Sequence, residues 1–235
     1  MNKGKLFLLP TPLGDIKPEE VIPQYVFEVM KTLKVFVVEE LRTARRYLSQ
    51  CGFRGQIDTL TLFELNEHTP TETVREYIKI LLSGENVGLI SEAGLPAVAD
   101  PGADLVAAAH VADVEVVPFV GPSSLMMALM SSGLNGQSFA FVGYLPAKTP
   151  QRRERIKELE KYSGKMNQSQ IFIETPYRND SLLADLFSVC ADDTRLTVAA
   201  DITLPEAYIK TKTIAKWRKS GIVVGKRPCV FILLR

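Results

Sequence analysis

The sequence is poor in the residues that bind metals or cross-link small folds. It has two histidines, His68 and His110, and three cysteines, Cys51, Cys190 and Cys229, far apart and in no C-x-x-C pair. An odd, scattered set of thiols supports neither a disulfide framework nor a zinc site, and two histidines give little basis for a histidine-based centre, so no metal is expected. Long hydrophobic runs are missing as well. No apolar stretch reaches the ~18 residues a membrane span requires, and the chain reads as a soluble, cytoplasmic protein with no membrane partner. The first residues, MNKGKLFLLPTPLG, are apolar only briefly, are broken by prolines and lack a small-residue cleavage site. They suit a buried first strand better than a signal peptide.

Familiar catalytic fingerprints are absent too. No G-x-G-x-x-G follows the first strand, and there is no G-x-x-x-x-G-K-[ST], H-E-x-x-H or G-x-S-x-G. That argues against dinucleotide oxidoreductases, P-loop enzymes, zincins and esterases.

What is present is an ordinary globular composition, 46% hydrophobic in 235 residues, enough for one large domain or two of about 100 residues. The charges favour two. Residues 1–144 hold 11 Lys/Arg and 17 Asp/Glu and residues 145–235 hold 17 and 10, so a net −6 and a net +7 make up the total of +1. The basic half suits an acidic partner.

Apolar runs of about five residues alternate with longer amphipathic stretches, the pattern of strands crossing over through helices. KLFLL, VFVV, DTLTLF, NVGLIS and DVEVVPF read as strands of a mostly parallel sheet. Between them, helices are expected from Pro23, over RTARRYLSQCG to Gly52, over TPTETVREYIKILLSG, and after Asp100-Pro101. The third of these carries a capping-box pattern, with Thr69 as N-cap, Pro70 at the first position and Glu72 following. A helix over Ser123–Ser132 stops at Gly133. QSFAFVGY, QIFIE, RLTVAAD and PCVFILLR are strands of a second, mixed sheet, with helices from Thr149-Pro150 and over residues 180–190. The Gly and Asn cluster GLNGQ at 133–137 marks the expected boundary, giving domains of residues 1–133 and 134–235.

In parallel α/β sheets, ligands sit beyond the carboxyl ends of the strands, so the loops there carry the chemistry. PTPLGD (Pro10 to Asp15) is a stiff loop open to a ligand, or simply a rigid turn. VEELR ends a strand with Glu39 and Glu40, followed by Arg42. Such a group can orient a hydroxyl, accept its proton or hold a phosphate, or it can merely favour a helix start. ISEAGLPAVADPG offers nearly bare backbone at Ala93, Gly94, Leu95 and Pro96 beside Glu92. In GPSSLMMAL, Ser123 and Ser124 sit at a helix start, where plain capping is the simpler role. In the second half, IFIETPYRN ends a strand with Glu174, and KTPQRRERIKELEKY is a basic amphipathic helix, a solvated face or a phosphate-tracking one.

Taken in order, LFLLPTPLGDI, VVEELRTARRYLSQCG, LNEHT, GLISEAGLPAVADPGADLV, VVPFVGPSSLMMALMSSGL, FAFVGYLPAKTPQRRERIKEL and IFIETPYR resemble the tetrapyrrole-methylase-like superfamily. Within it they are most similar to the family of ribosomal RNA small-subunit methyltransferase I. The resemblance implies two α/β domains with S-adenosylmethionine in the cleft between them, in a homodimer. It implies cofactor contacts from Pro12, Leu13, Glu92, Ala93, Gly94, Leu95, Val98, Ser123, Ser124 and Glu174. It also implies methylation of a ribose 2′-hydroxyl of ribosomal RNA. With no well-placed histidine, a carboxylate is the available proton acceptor. Of Glu39 and Glu40, one is expected to orient or deprotonate the hydroxyl and the other to make a structural contact. Glu39 is the one that aligns with the family's Glu, and Arg42 would hold a substrate phosphate. A basic rim lined by Arg42, Arg152, Arg153 and Arg178 would favour RNA as the acceptor, and a large apolar trough facing the methyl group would favour a small molecule.

Three departures accompany the resemblance. Glu39-Glu40-Leu41-Arg42 stands where the RNA methyltransferases read Glu-Asp-Thr-Arg, Glu92 and Leu95 replace an Asp and a Thr, and the sequence stops at Arg235, before the small C-terminal extension of longer members. A tetrapyrrole or other small-molecule acceptor, and a non-catalytic S-adenosylmethionine-binding role, are the competing expectations.

Overall fold

Five short apolar strands, β1 (Leu6–Leu9), β2 (Val35–Val38), β3 (Thr61–Glu64), β4 (Val87–Ile90) and β5 (Val116–Pro118), pair in parallel in the order β3-β2-β4-β1-β5. They belong to the first of two units, Met1–Ser123 and Ser124–Arg235, in a computed structural model that describes residues 2–235 apart from the side chain of Thr71. Successive strand side chains point to opposite faces, and β2 shows the result. Phe36 and Val38 join Met30 and Tyr47 beneath α1 (Gln24–Met30) and α2 (Leu41–Leu48), while Val35 and Val37 join Leu81 and Leu105 beneath α3 (Thr71–Leu82) and α4 (Gly102–Val111). Each such side chain contributes roughly 1.5–3 kcal/mol by leaving water.

This layering places the site. β1 and β4 are neighbours, yet the chain leaves β1 toward α1 on one face and leaves β4 toward α4 on the other. The connections beyond them run to opposite faces, which is the switch-point geometry of open α/β sheets.

The capping box expected at α3 does not form. Thr69 Oγ1 accepts instead from the Asn66 amide at 2.9 Å, and Pro70 precedes the helix without a side-chain cap. The Asn66 turn competes for the hydroxyl and wins.

The second unit is built on a mixed sheet, β6 (Phe139–Tyr144), β7 (Ser169–Ile173), β10 (Cys229–Leu234), β8 (Arg195–Ala200) and β9 (Tyr208–Thr213), in that order. Only β6 and β7 run parallel. One face buries the single tryptophan, Trp217, with Leu159, Leu186 and Phe231 beneath α6 (Thr149–Met166), α7 (Asn179–Val189) and α8 (Ile214–Arg218). The other face carries α5 (Ser124–Ser132), where Thr211 Oγ1 donates to the Ser132 carbonyl at 2.7 Å. Because α5 packs on β9 and β10, the units divide at Ser123/Ser124, ten residues before the Gly and Asn cluster at 133–137. β9 and α8 fall between the expected strands RLTVAAD and PCVFILLR, where the sequence offers no apolar run.

Candidate active site

At the carboxyl end of the first sheet, the β1 and β4 loops are tied to each other by backbone. The Thr11 amide donates to the Gly94 carbonyl at 2.9 Å, and the Gly94 amide donates back to the Thr11 carbonyl at 3.2 Å. Tyr47 of α2 adds a buried hydrogen bond from its hydroxyl to the Pro10 carbonyl at 2.6 Å. Beside this seam lies a cavity of about 330 Å³, lined among others by Thr11, Leu13, Thr43, Arg46, Glu92 and Ala93.

Gly94 has φ +82°, and a Cβ there would stand 3.1 Å from Leu13 Cδ2 and 3.3 Å from the Pro122 carbonyl oxygen. The loops after β1, β4 and β5 therefore meet closely at Gly94, where the positive φ and these tight approaches both disfavour a side chain. The Thr11 hydroxyl is buried with no hydrogen-bond partner among the described residues. Such an orphan costs about 1–3 kcal/mol unless a ligand satisfies it.

The rest of the β4 loop is strained and clamped. Ala97 and Ala99 have φ of 65° and 62°, a region that L side chains rarely occupy. Asp100 compensates by accepting from the Ala97 amide at 3.0 Å and the Gly102 amide at 2.7 Å. Burial pushes the Asp100 carboxyl above its ordinary value, and those two amides pull it part of the way back. The sequence marks Asp100 as a helix cap; its tie across the loop to Ala97 is legible only in three dimensions.

The two adjacent glutamates have different surroundings. Glu40 caps α2, accepting from the amides of Arg42 at 2.9 Å and Thr43 at 2.7 Å, and these bonds hold its carboxyl below the usual range. Glu39 points the other way. Its Oε2 accepts from the Glu92 amide at 2.9 Å, and its Oε1 has no donor among the described residues. Desolvation pushes the Glu39 carboxyl up, the Glu92 amide opposes this, and the charges of Asp100 and Glu92 push it further up. Thr43 Oγ1 reaches Glu92 Oε1 at 3.3 Å and closes the ring of groups. Thr43, Arg46 and Tyr47 were not among the expected site residues. Their only sequence signal is helical spacing after the VEELR strand end.

Of the expected contacts, Pro12, Leu13, Glu92 and Ala93 line the cavity and Gly94 forms the seam. Leu95 is half-buried, Val98 is exposed and Arg42 is exposed at the start of α2. Ser123 ends the first unit, and Ser124 opens α5 in the second. Glu174 follows β7 in the second unit and is buried. Its Oε1 accepts from the Thr175 amide at 2.7 Å and from Arg178 Nε at 2.9 Å, and its Oε2 has no partner among the described residues.

The expected basic rim is not what the structure shows. Arg152 is 1% exposed, with Nε donating to Asp185 Oδ2 at 2.6 Å and a terminal nitrogen donating to Ser181 Oγ at 2.8 Å. Arg153 is bound to the other oxygen of Asp185 at 2.7 Å, and Arg178 is held by Glu174. The helix reads as basic and solvated in sequence, but Asp185 of α7 draws its first arginine into the core.

Fold and site together define an α/β protein with a ligand crevice at a sheet switch point and no glycine fingerprint for dinucleotides. Comparison with known proteins makes this specific. The family of tetrapyrrole (corrin/porphyrin) methylases matches residues 7–217, and the chain belongs to it. It is 33% identical over 198 residues to a Vibrio cholerae protein named ribosomal RNA small subunit methyltransferase I, covering 84% of this chain and 65% of that protein. A Pseudomonas aeruginosa protein of the same name is 30% identical over 236 residues, covering 99% and 79%. The chain thus spans slightly less than two thirds of the Vibrio relative's length. Among solved structures, it resembles uroporphyrin-III C-methyltransferase from Thermus thermophilus complexed with S-adenosylhomocysteine (TM-score 0.58, 16% identity, covering 99% and 98%). It also resembles diphthine synthase (TM-score 0.68, 18% identity, covering 98% and 90%). These two share its fold.

Proposed function

We propose that the protein is an S-adenosylmethionine-dependent methyltransferase that methylates a ribose 2′-hydroxyl of small-subunit ribosomal RNA, as a cytoplasmic homodimer. Its relatives' names supply the substrate class, and a structural neighbour was solved with the demethylated cofactor. The observation that carries the reading is Glu39, a carboxylate anchored through one oxygen by the amide of Glu92, itself a lining residue of the cavity, and with no donor at its other oxygen among the described residues.

The residues present fit the cofactor. Pro12, Leu13 and Ala93 line the cavity beside the seam, and the Thr11 hydroxyl has no partner among the described residues, a partner that a polar ligand would supply. Pro12, Leu13, Glu92, Ala93, Gly94, Leu95, Val98 and Ser123 of the first unit would hold it. When bound, S-adenosylmethionine supplies an electrophilic methyl group. The chain's own residues do the rest. Glu39 Oε1 accepts the proton of the attacking hydroxyl, the Glu92 amide fixes the carboxylate's orientation, and Arg42 holds a phosphate of the substrate. Glu40 keeps α2, and Arg42 with it, in place.

Calorimetry with S-adenosylhomocysteine tests the cofactor and should give micromolar binding; absence of heat and of any thermal shift overturns it. Comparing 2′-O-methylation maps of ribosomal RNA from strains with and without the gene tests the acceptor. One site lost in the deletion is expected, and identical maps would assign the chemistry to a small-molecule acceptor instead.

A further inference from the structure

The second unit's excess of positive charge has a definite location once its ion pairs are counted. Eight of its 17 cations, Arg152, Arg153, Arg155, Lys157, Arg178, Arg218, Arg227 and Arg235, are paired with carboxylates. Among the nine that form no ion pair with described residues, five lie on three successive elements. These are Arg195 of β8, Lys210 and Lys212 of β9, Lys216 of α8, and Lys219 just after it.

They share one place. A cavity of about 510 Å³ is lined by Arg195, Thr211, Lys212, Thr213 and Lys216. Lys210 is two residues from Lys212 on the same face of the strand, and Lys219 is three residues from Lys216 on the same side of the helix. Lys212 Nζ rests 4.6 Å from the centre of the Trp217 ring, which holds one charge at a fixed position. β9 is the last strand of its sheet, so part of its backbone N–H groups face outward beside the lysines.

We infer that this β8-β9-α8 edge binds the phosphate backbone of RNA, so that the basic second unit, rather than the acidic first, docks the substrate. The inference rests on the RNA reading above. Edge lysines also discourage strand pairing between copies, but that accounts only for Lys210 and Lys212. Arg195, Lys216 and Lys219 lie off the edge strand. An acidic protein is the other polyanion to consider, and protein interfaces are anchored by aromatic or apolar groups at their centre. This surface offers mainly cations and hydroxyls; of its two aromatic rings, Trp217 is fully buried and Tyr208 is half-buried at the start of β9.

The test is the triple variant Lys210→Glu, Lys216→Glu and Lys219→Glu, all exposed positions outside the candidate active site. Binding to a protein-free transcript of small-subunit ribosomal RNA is measured from 50 to 200 mM KCl. Each phosphate that the protein no longer neutralises takes ~0.7–0.9 off the slope of log K against log salt, so the slope should fall by about two and low-salt affinity by at least tenfold. Binding of S-adenosylhomocysteine should stay at the parent value, showing an intact fold, and the matching Lys→Arg triple should keep the parent slope. An unchanged slope in the glutamate variant, with the parent still methylating RNA, removes this surface and leaves the methyltransferase reading standing. A parent that binds the cofactor but not the transcript removes the RNA reading and this surface together. Poly-glutamate bound by the parent as tightly as the transcript would assign the edge to acidic proteins and overturn the inference.

Discussion

The Glu92 amide donates to Glu39 Oε2 at 2.9 Å, joining the end of β2 to the loop after β4 across the switch point of the first sheet. One oxygen of Glu39 is committed and the other is not. The strand's alternation explains the choice of residue, because Glu39 continues the side of Val35 and Val37, where α4 and Asp100 lie, whereas Glu40 turns toward α2.

Glu39→Gln should therefore lower turnover by about 10²-fold or more, the usual scale for losing a general base, with S-adenosylhomocysteine binding intact. The pH profile adds a second check. Glu39 must be ionised to accept a proton, and its value lies above the ordinary 4.5 through desolvation and the charges of Asp100 and Glu92. The acidic limb of kcat/KM in the parent should thus fall at a higher pH than an exposed carboxylate gives, and it should vanish in the variant. Single-turnover methylation at the parent rate in Glu39→Gln would show that alignment alone carries the reaction.

Glu40→Ala should act on stability before chemistry. Its carboxylate holds the Arg42 and Thr43 amides, and removing an N-cap weakens the helix it starts. The folded carboxyl lies below the ordinary 4.5, so its contribution is present above that value and fades as pH falls through the folded one. The difference in Tm between parent and variant should accordingly be full at pH 7 and shrink steadily below pH 4.5. A difference independent of pH would assign the loss to something other than the charged cap.

Gly94→Val tests the cradle. Its φ of +82° and the 3.1 Å and 3.3 Å approaches of Leu13 and the Pro122 carbonyl leave no space for a branched side chain. Calorimetry should show cofactor binding lost, with the circular dichroism spectrum kept. Parent-like affinity would place the ligand elsewhere.

The sequence made most of the fold legible, since β1, β2, β4 and β5 are short apolar runs and β3 is polar only at its exposed ends. It was weakest where side chains carry two meanings. YIKTKT alternates too faintly to announce β9, although that strand closes the second sheet, and Trp217 sits in a polar stretch yet is fully buried. Thr69 and Glu72 imitate a capping box, but α3 starts at Thr71 without it because the Asn66 turn takes the Thr69 hydroxyl. At the site, the pairing of a stiff β1 loop with a glycine-centred β4 loop was visible as composition. Asp100 reaching back to Ala97 was not, because no spacing rule encodes a strained loop closed by its own last residue.

Arg152 shows the same ambiguity with the largest consequence. RRERIKELEK reads as a solvated basic helix, and both arginines suit a polyanion in sequence. In the fold, Arg152 and Asp185 are both nearly inaccessible, while Arg153 is about half exposed on the same carboxylate. Removing one partner of a buried pair leaves the other charge uncompensated and typically costs ~3–5 kcal/mol, whereas an exposed ion pair contributes ~0–1 kcal/mol. Arg152→Ala should then lower the urea midpoint steeply, and Arg153→Ala should barely move it. Neither should change the salt slope of RNA binding, because Asp185 already holds both guanidinium groups. Equal stability losses in the two variants would contradict the burial difference, and a reduced slope in Arg153→Ala alone would return that arginine to the RNA-binding surface.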